Sequence, residues 1–217
     1  MNGDASGILT IKSGSTTLAF ASIAGWLAAA AMTGPLGIWL ALGGAAIALG
    51  LAVLVFQRPA SSALLQPSAR LVLLGAAAGG VMAVATYILY PLFARILPFI
   101  ATDTTRLYAA FRAPSFVVAS VALVPIILGE ELVWRGVVQT SLVQRLGVWR
   151  GIPLAAIVYA LVHTPLGSPV LVAVAFFCGL AWGILRAMTA SLVPPLVAHL
   201  LWDVLVLLWL PLDTRWR

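Results

Sequence analysis

The chain has 217 residues, 63% of them hydrophobic and 8% charged, with a mean hydropathy of +1.11; a soluble domain is about half apolar and a quarter charged, so a water-soluble globule is excluded. The net charge of +6 comes from eleven Arg and one Lys against six acids, mostly at the ends of apolar runs. Cations so placed face headgroups and set orientation, which argues against nucleic acid as a partner, and the single Cys178 rules out an intrachain disulfide and reads as a packed thiol.

Residues 1–16 form a polar flank. The run Leu18 to Met32 ends in small residues and imitates a signal-peptide core, but the many later apolar runs make it an uncleaved first helix. Apolar runs divided by Pro, Gly and Arg predict spans near 17–33, 36–56, 71–94, 115–145, 150–164, 169–188 and 191–210. The expected fold is therefore an all-α polytopic transmembrane bundle of about seven spans, within a range of six to eight. The first two spans are nearly continuous across Thr33-Gly34-Pro35, and the fourth is long enough to break at Pro125 or Gly129.

Gln57 to Arg70 reads as a polar loop, and Pro98 to Pro114, with Arg106, Tyr108, Phe111 and Arg112, as a short interfacial helix. Small residues from Gly75 to Gly80 predict close helix packing. The chain divides into the flank, membrane helices over 17–114, a core over 115–210 that carries the polar residues discussed next, and a basic tail over 211–217, all within one membrane domain. With seven spans the amino-terminal side holds Lys12, Arg58, Arg70, Arg145, Arg150 and Arg186, and the other side Arg95, Arg106, Arg112, Arg215 and Arg217, a balance that does not fix the orientation.

Asp4, Asp103 and Asp213 lie in polar flanks, where water solvates them, whereas Glu130, Glu131 and Asp203 lie inside apolar runs. So do both histidines, His163 and His199, with Arg135 the one cation near the acids. Each ionised group at a helix centre costs about 2.5–3.5 kcal/mol on insertion scales, so four of them unpaired cost roughly 10 kcal/mol, the size of a typical net stability. These groups must face one another or a wet cavity, and such intramembrane clusters are functional candidates. Helical spacing sets Glu131 over Arg135, Tyr159 over His163 and His199 over Asp203, while Glu130 points about 100° away from Glu131. One glutamate can then pair with Arg135 while its neighbour faces elsewhere. Taken singly, each has a plain alternative: a helix-locking Glu131–Arg135 ion pair, an interhelical His199–Asp203 pair, Tyr159 as packing, and His163 as a satisfied core histidine.

In order along the chain stand Glu130-Glu131-Leu-Val-Trp-Arg135, Tyr159-Ala-Leu-Val-His163 and His199-Leu-Leu-Trp-Asp203. This series resembles the CPBP or Abi family of CAAX prenyl endopeptidase-like and bacteriocin-processing membrane proteins, whose pattern is Glu-Glu-x-x-x-Arg, Phe-x-x-x-His and His-x-x-x-Asn or Asp. Phe176-Phe-Cys-Gly179-Leu-Ala-Trp-Gly183 resembles the family's glycine-bearing helix, and the likeness covers about residues 115–210.

The resemblance implies an intramembrane endopeptidase acting on a peptide or protein substrate that reaches the bilayer. In it Glu130 and His163 would activate a water, His199 and Asp203 would stabilise or orient the oxyanion, and Glu131 with Arg135 would hold the first glutamate's helix. Two positions depart from the commoner family pattern: Tyr159 replaces Phe and brings a hydroxyl that needs a partner if buried, and Asp203 stands where many members carry Asn. No cofactor is expected; a zinc site built from the same His and Glu residues is an alternative, though no His-Glu-x-x-His is present. A proton-coupled transporter, or a non-catalytic immunity or partner-binding protein, is a further alternative, because intramembrane Glu and His also build proton relays. The abundance of Ala, Gly and Arg over Lys suggests a GC-rich bacterial genome, and hence the bacterial plasma membrane; this counts against a prenylated CAAX partner, while the sequence does not select among a prenylated peptide, a bacteriocin leader and a membrane-anchored tail.

Overall fold

A computed structural model describes residues 14–112 and 115–215, which form helices and no strands. Asp4, Lys12, Pro114 and Arg217, and with them most of the polar flank and the end of the basic tail, lie outside the described residues. Eight principal helices follow one another: α1 Gly14–Ala31, α2 Trp39–Phe56, α3 Ala69–Ile96, α4 Phe99–Ala110, α5 Phe116–Leu146, α6 Val148–Leu161, α7 Pro169–Thr189 and α8 Val193–Trp209. Four of them, α2, α3, α5 and α7, are long and apolar enough to cross a membrane. The helices α1, α6 and α8 occupy the other predicted spans, with shorter apolar stretches at Thr16–Ala31 and Val193–Trp209 and only 14 residues in α6.

Local chemistry sets the boundaries. Ser68, Ser115 and Ser168 cap α3, α5 and α7, each hydroxyl accepting from the amide three residues on. Gly147, with φ of 76°, ends α5 and lets α6 start at once. The helix α5 runs unbroken through Pro125 and Gly129, the two places where the sequence suggests a break. Its departure from α geometry comes later, in a π-helical stretch over Leu132–Val138. The segment expected to form a short helix between spans is α4, and the expected loop from Gln57 to Arg70 instead contains the helix Arg58–Leu64. Pro59 in its first turn favours that start, and its Ser61 and Leu64 are buried. Asp103 is not merely solvated: its carboxylate accepts from the Ser168 hydroxyl at 2.7 Å and from the Val170 amide at 3.0 Å, tying α4 to the start of α7.

The bundle is apolar on its outer surface and in most of its interior, with a small polar cluster buried inside. Leu51, Val55, Leu73, Val81, Val84 and Ile88 are exposed on α2 and α3, while Glu131, Arg135 and His199 are buried. Exposed apolar surface on this scale suits lipid as the surrounding medium. Small residues bring the helices to close range, with Gly75 and Gly79 of α3 lying against Pro194 and Ala198 of α8, as the small-residue run predicts. Gly50 of α2 and Gly129 of α5 face each other where those helices cross, and a Cβ on Gly129 would collide with the Ala46 carbonyl. Gly129→Ala is therefore expected to cost about 1–3 kcal/mol of stability, read as a lower unfolding midpoint of the detergent-solubilised protein, while Gly80→Ala, which meets open space, should be near neutral.

Candidate active site

The helix α5 is the axis of the site, since every residue from Glu131 to Gln139 is buried. Glu131 lies one helical turn before Arg135, and its Oε1 is 3.2 Å from an Arg135 terminal nitrogen. The same oxygen accepts from His199 Nδ1 of α8 at 2.8 Å. A carboxylate bonded to two helices in an apolar interior fixes their relative height. Arg135 is further held by aromatic faces, its guanidinium carbon lying 4.6 Å from the Tyr159 ring centre and 5.0 Å from that of Trp182. Trp182 in turn stacks on His199 with ring centres 3.7 Å apart. A planar guanidinium suits such a slot and a lysine ammonium does not.

Glu130 is turned away from this pair, as the helical spacing predicts. It is only half-buried, makes no ion pair among the described residues, and accepts from the Tyr159 hydroxyl at 2.9 Å. The hydroxyl that distinguishes Tyr159 from the commoner Phe thus has a partner at the site, so Tyr159 does more than pack. His163, at the end of α6, has Nδ1 2.6 Å from the Tyr159 carbonyl. A carbonyl only accepts, so Nδ1 carries the proton and the neutral ring presents its Nε2 lone pair elsewhere. Glu130, Arg135 and His199 all lie within electrostatic range of that ring.

Asp203 follows His199 by one turn, with Oδ2 3.7 Å from His199 Nε2. It opens another π-helical stretch, Asp203–Trp209, which Leu210 closes by donating to the Leu205 carbonyl; a third, Trp39–Gly43, begins α2. Two tyrosines serve the carbonyls of this widened turn. The Tyr87 hydroxyl lies 2.8 Å from Leu205 O and 3.0 Å from Leu210 O, and the Tyr108 hydroxyl donates to Val206 O. Burial pushes the Tyr108 phenol far above its usual range, which keeps it a donor. π turns recur at functional sites because they redirect side chains without ending a helix, and here one begins within each of the two motifs that meet at Glu131.

All six residues expected from the motifs, Glu130, Glu131, Arg135, His163, His199 and Asp203, thus come from α5, α6 and α8 into one region, with Tyr159 linking two of the helices. The motif pattern did not single out three tryptophans. Trp26 of α1 is fully buried and packs edge-on against Trp134 and His163, with ring centres 5.6 and 6.2 Å away. Trp134 lies inside the first motif and Trp182 in the glycine-bearing helix, so those two stood within segments already marked. Gly179 gives room to the Tyr159 ring, and Gly183 to the Gln139 side chain. Cys178 is buried and free, as a packed thiol should be.

Removing one partner of the Glu131 cluster leaves buried charge unpaired. Glu131→Gln and Arg135→Ala are each expected to destabilise the protein by about 3–5 kcal/mol, checked by thermal unfolding in detergent. A Glu131→Gln/His199→Ala double-mutant cycle should return a coupling well above zero.

Residues 111–205 match the family model described as Rce1-like, type II CAAX prenyl endopeptidase Rce1-like. No curated protein and no solved structure matches the chain.

Proposed function

We propose that the chain is a glutamic-type intramembrane endopeptidase in which Glu130 and His163 activate a water, a reading supported by the similarity of residues 111–205 to the Rce1-like, type II CAAX prenyl endopeptidase family model. The observation that carries this reading is the division of labour between adjacent glutamates. Glu131 is committed to Arg135 and His199, while Glu130 keeps a half-buried carboxylate whose hydrogen-bond partner is a neutral tyrosine. His163, its Nδ1 bound to a backbone carbonyl, offers Nε2 as the second acceptor for the same water.

In the reaction the water gives a proton to the Glu130 carboxylate as its oxygen forms a bond to the peptide carbonyl carbon. The carbonyl oxygen takes up the electron pair of its π bond, and His199, protonated on both nitrogens with Nδ1–H held by Glu131, turns its Nε2–H from the side of Asp203, 3.7 Å away, to the resulting oxyanion. An ionised Asp203 only accepts, so its part is to orient His199. Collapse of the tetrahedral species breaks the C–N bond, and the proton held by Glu130 passes to the leaving amine. No acyl-enzyme forms, because the nucleophile is water.

The proposed site is metal-independent: Glu131 and His199 spend their facing atoms on each other and on Arg135 rather than pointing at a common centre. The substrate is a peptide or protein segment reaching the membrane, and the bacterial plasma membrane is the proposed location.

Glu130→Gln and His163→Ala should each lower peptide cleavage by roughly 10²–10⁴-fold, with the half-buried Glu130→Gln leaving the unfolding midpoint close to that of the parent and the buried His163→Ala lowering it. Full cleavage by Glu130→Gln would remove Glu130 as the base. Chelation with EDTA should leave the rate unchanged, whereas loss of activity restored by Zn²⁺ would select a metalloprotease. Peptide ends in cell envelopes with and without the gene, compared by mass spectrometry, would supply the substrate.

A further inference from the structure

A cavity of about 170 Å³ lies away from the catalytic groups, where the ends of α2 and α7 meet the helix Arg58–Leu64 and the second half of α5. Gln139, whose amide donates to the Gly183 carbonyl at 2.9 Å, is fixed in its wall on the side of the catalytic groups, so the cavity is a separate space. Its floor is apolar and buried, built from Val53, Leu64, Leu132, Val137 and Leu192. Val148, Ala187 and Ala190 at its rim are exposed, so it opens to the surroundings of the bundle. Along α5 the lining runs from Gln144 to Leu132, twelve residues or about 18 Å, from near the helix end toward the middle of the bundle.

Arg186 is the only charged residue among those that line this space. Its Nε is buried without a hydrogen-bond partner, and no carboxylate among the described residues forms an ion pair with it. The other described cations at this end of the bundle, Arg58, Arg70, Arg145 and Arg150, are exposed, and no acid among the described residues lies there with them. A guanidinium in an apolar wall is costly unless an anion meets it, and the described residues supply none. Trp149, next to Val148 and 92% exposed, and the four exposed arginines set the rim at headgroup level.

A cation at headgroup level thus stands above an apolar space, and apolar cavities of about 150 Å³ stay dry and accept apolar guests. We propose that this cavity binds one anionic phospholipid, whose phosphate pairs with the Arg186 guanidinium and whose acyl chain lies on the floor along α5. The fork of arginine donors matches two phosphate oxygens. A soluble phosphate answers the cation and leaves the floor uncovered, and an uncharged chain does the reverse; an anionic lipid answers both. Leu132 and Gly136 belong to the π-helical stretch after Glu131, so the bound chain braces that stretch from outside.

Native mass spectrometry reads the affinity of the first bound lipid and needs no peptide cleavage. The protein in a neutral detergent is titrated with phosphatidylglycerol or with phosphatidylcholine of the same chains, whose choline neutralises the phosphate. Phosphatidylglycerol should bind about tenfold tighter or better, the gain of one charge-assisted contact. Arg186→Gln should bring the two lipids to the same affinity, and Arg186→Lys should keep part of the difference. Arg70→Gln, at the same end but outside the cavity, should keep all of it. Glycerophosphoglycerol, the same headgroup without chains, should not displace the lipid. Equal affinity for the two lipids in the parent protein, which needs no variant to fold, would overturn the proposal. So would a preference that survives Arg186→Gln, one that Arg70→Gln removes equally, or displacement by glycerophosphoglycerol, which would make this a site for a soluble anion.

Discussion

The bond between the Glu131 carboxylate and the His199 imidazole ties the fold to the site. An ionised group without a partner inside this bundle would cost a large part of the net stability, so the sequence that carries Glu131 must also deliver Arg135 and His199 to it. Meeting that need joins α5 to α8. The Arg135 side chain, clasped between Tyr159 and Trp182, brings α6 and α7 to the same level. Four helices thus share one electrostatic knot, and the neighbouring Glu130 is left unpaired by ions because its twin has taken the charge partners.

Backbone geometry supports the same arrangement. A π turn rotates successive side chains by less than an α turn, so residues beyond Glu131 and Asp203 are offset from where a uniform helix would put them. In α5 the widened stretch is closed in part by Thr140, whose hydroxyl donates to the Arg135 carbonyl five residues earlier. In α8 the phenols of Tyr87 and Tyr108 do the equivalent work from α3 and α4. Residues far from the reacting groups in sequence therefore hold the backbone that presents Asp203.

Much of this was readable from the chain alone, and the limits have a physical pattern. Helix positions followed from apolar run length, and the pairing of Glu131 with Arg135 and of His199 with Asp203 from the four-residue repeat. These are local consequences of one helix's own geometry. The Glu131–His199 bond joins residues 68 apart and the Tyr159–Glu130 bond residues 29 apart, and no spacing rule selects such partners. Trp26 illustrates the harder case: it lies in a helix of small and apolar residues and acquires a role only because α1 packs against Trp134. The helix Arg58–Leu64 was hidden by its serines and proline, which mark loops in water but also start short helices that bury one face. Asp103 looked solvated because its partners, Ser168 and Val170, lie 65 and 67 residues on.

The brevity of α6 has a consequence for hydration. Fourteen residues rise only about 21 Å, against a hydrocarbon layer about 30 Å thick. Leu154, Ile157 and Leu161 are exposed on this helix, so lipid chains lie alongside it. A rod so short is matched by a local thinning of the layer or by polar groups reaching outward from its ends, and either places polar surroundings near the end that carries His163. A helix too short for its solvent thereby brings the polar boundary and the helix end together, and the end in question is the one next to His163.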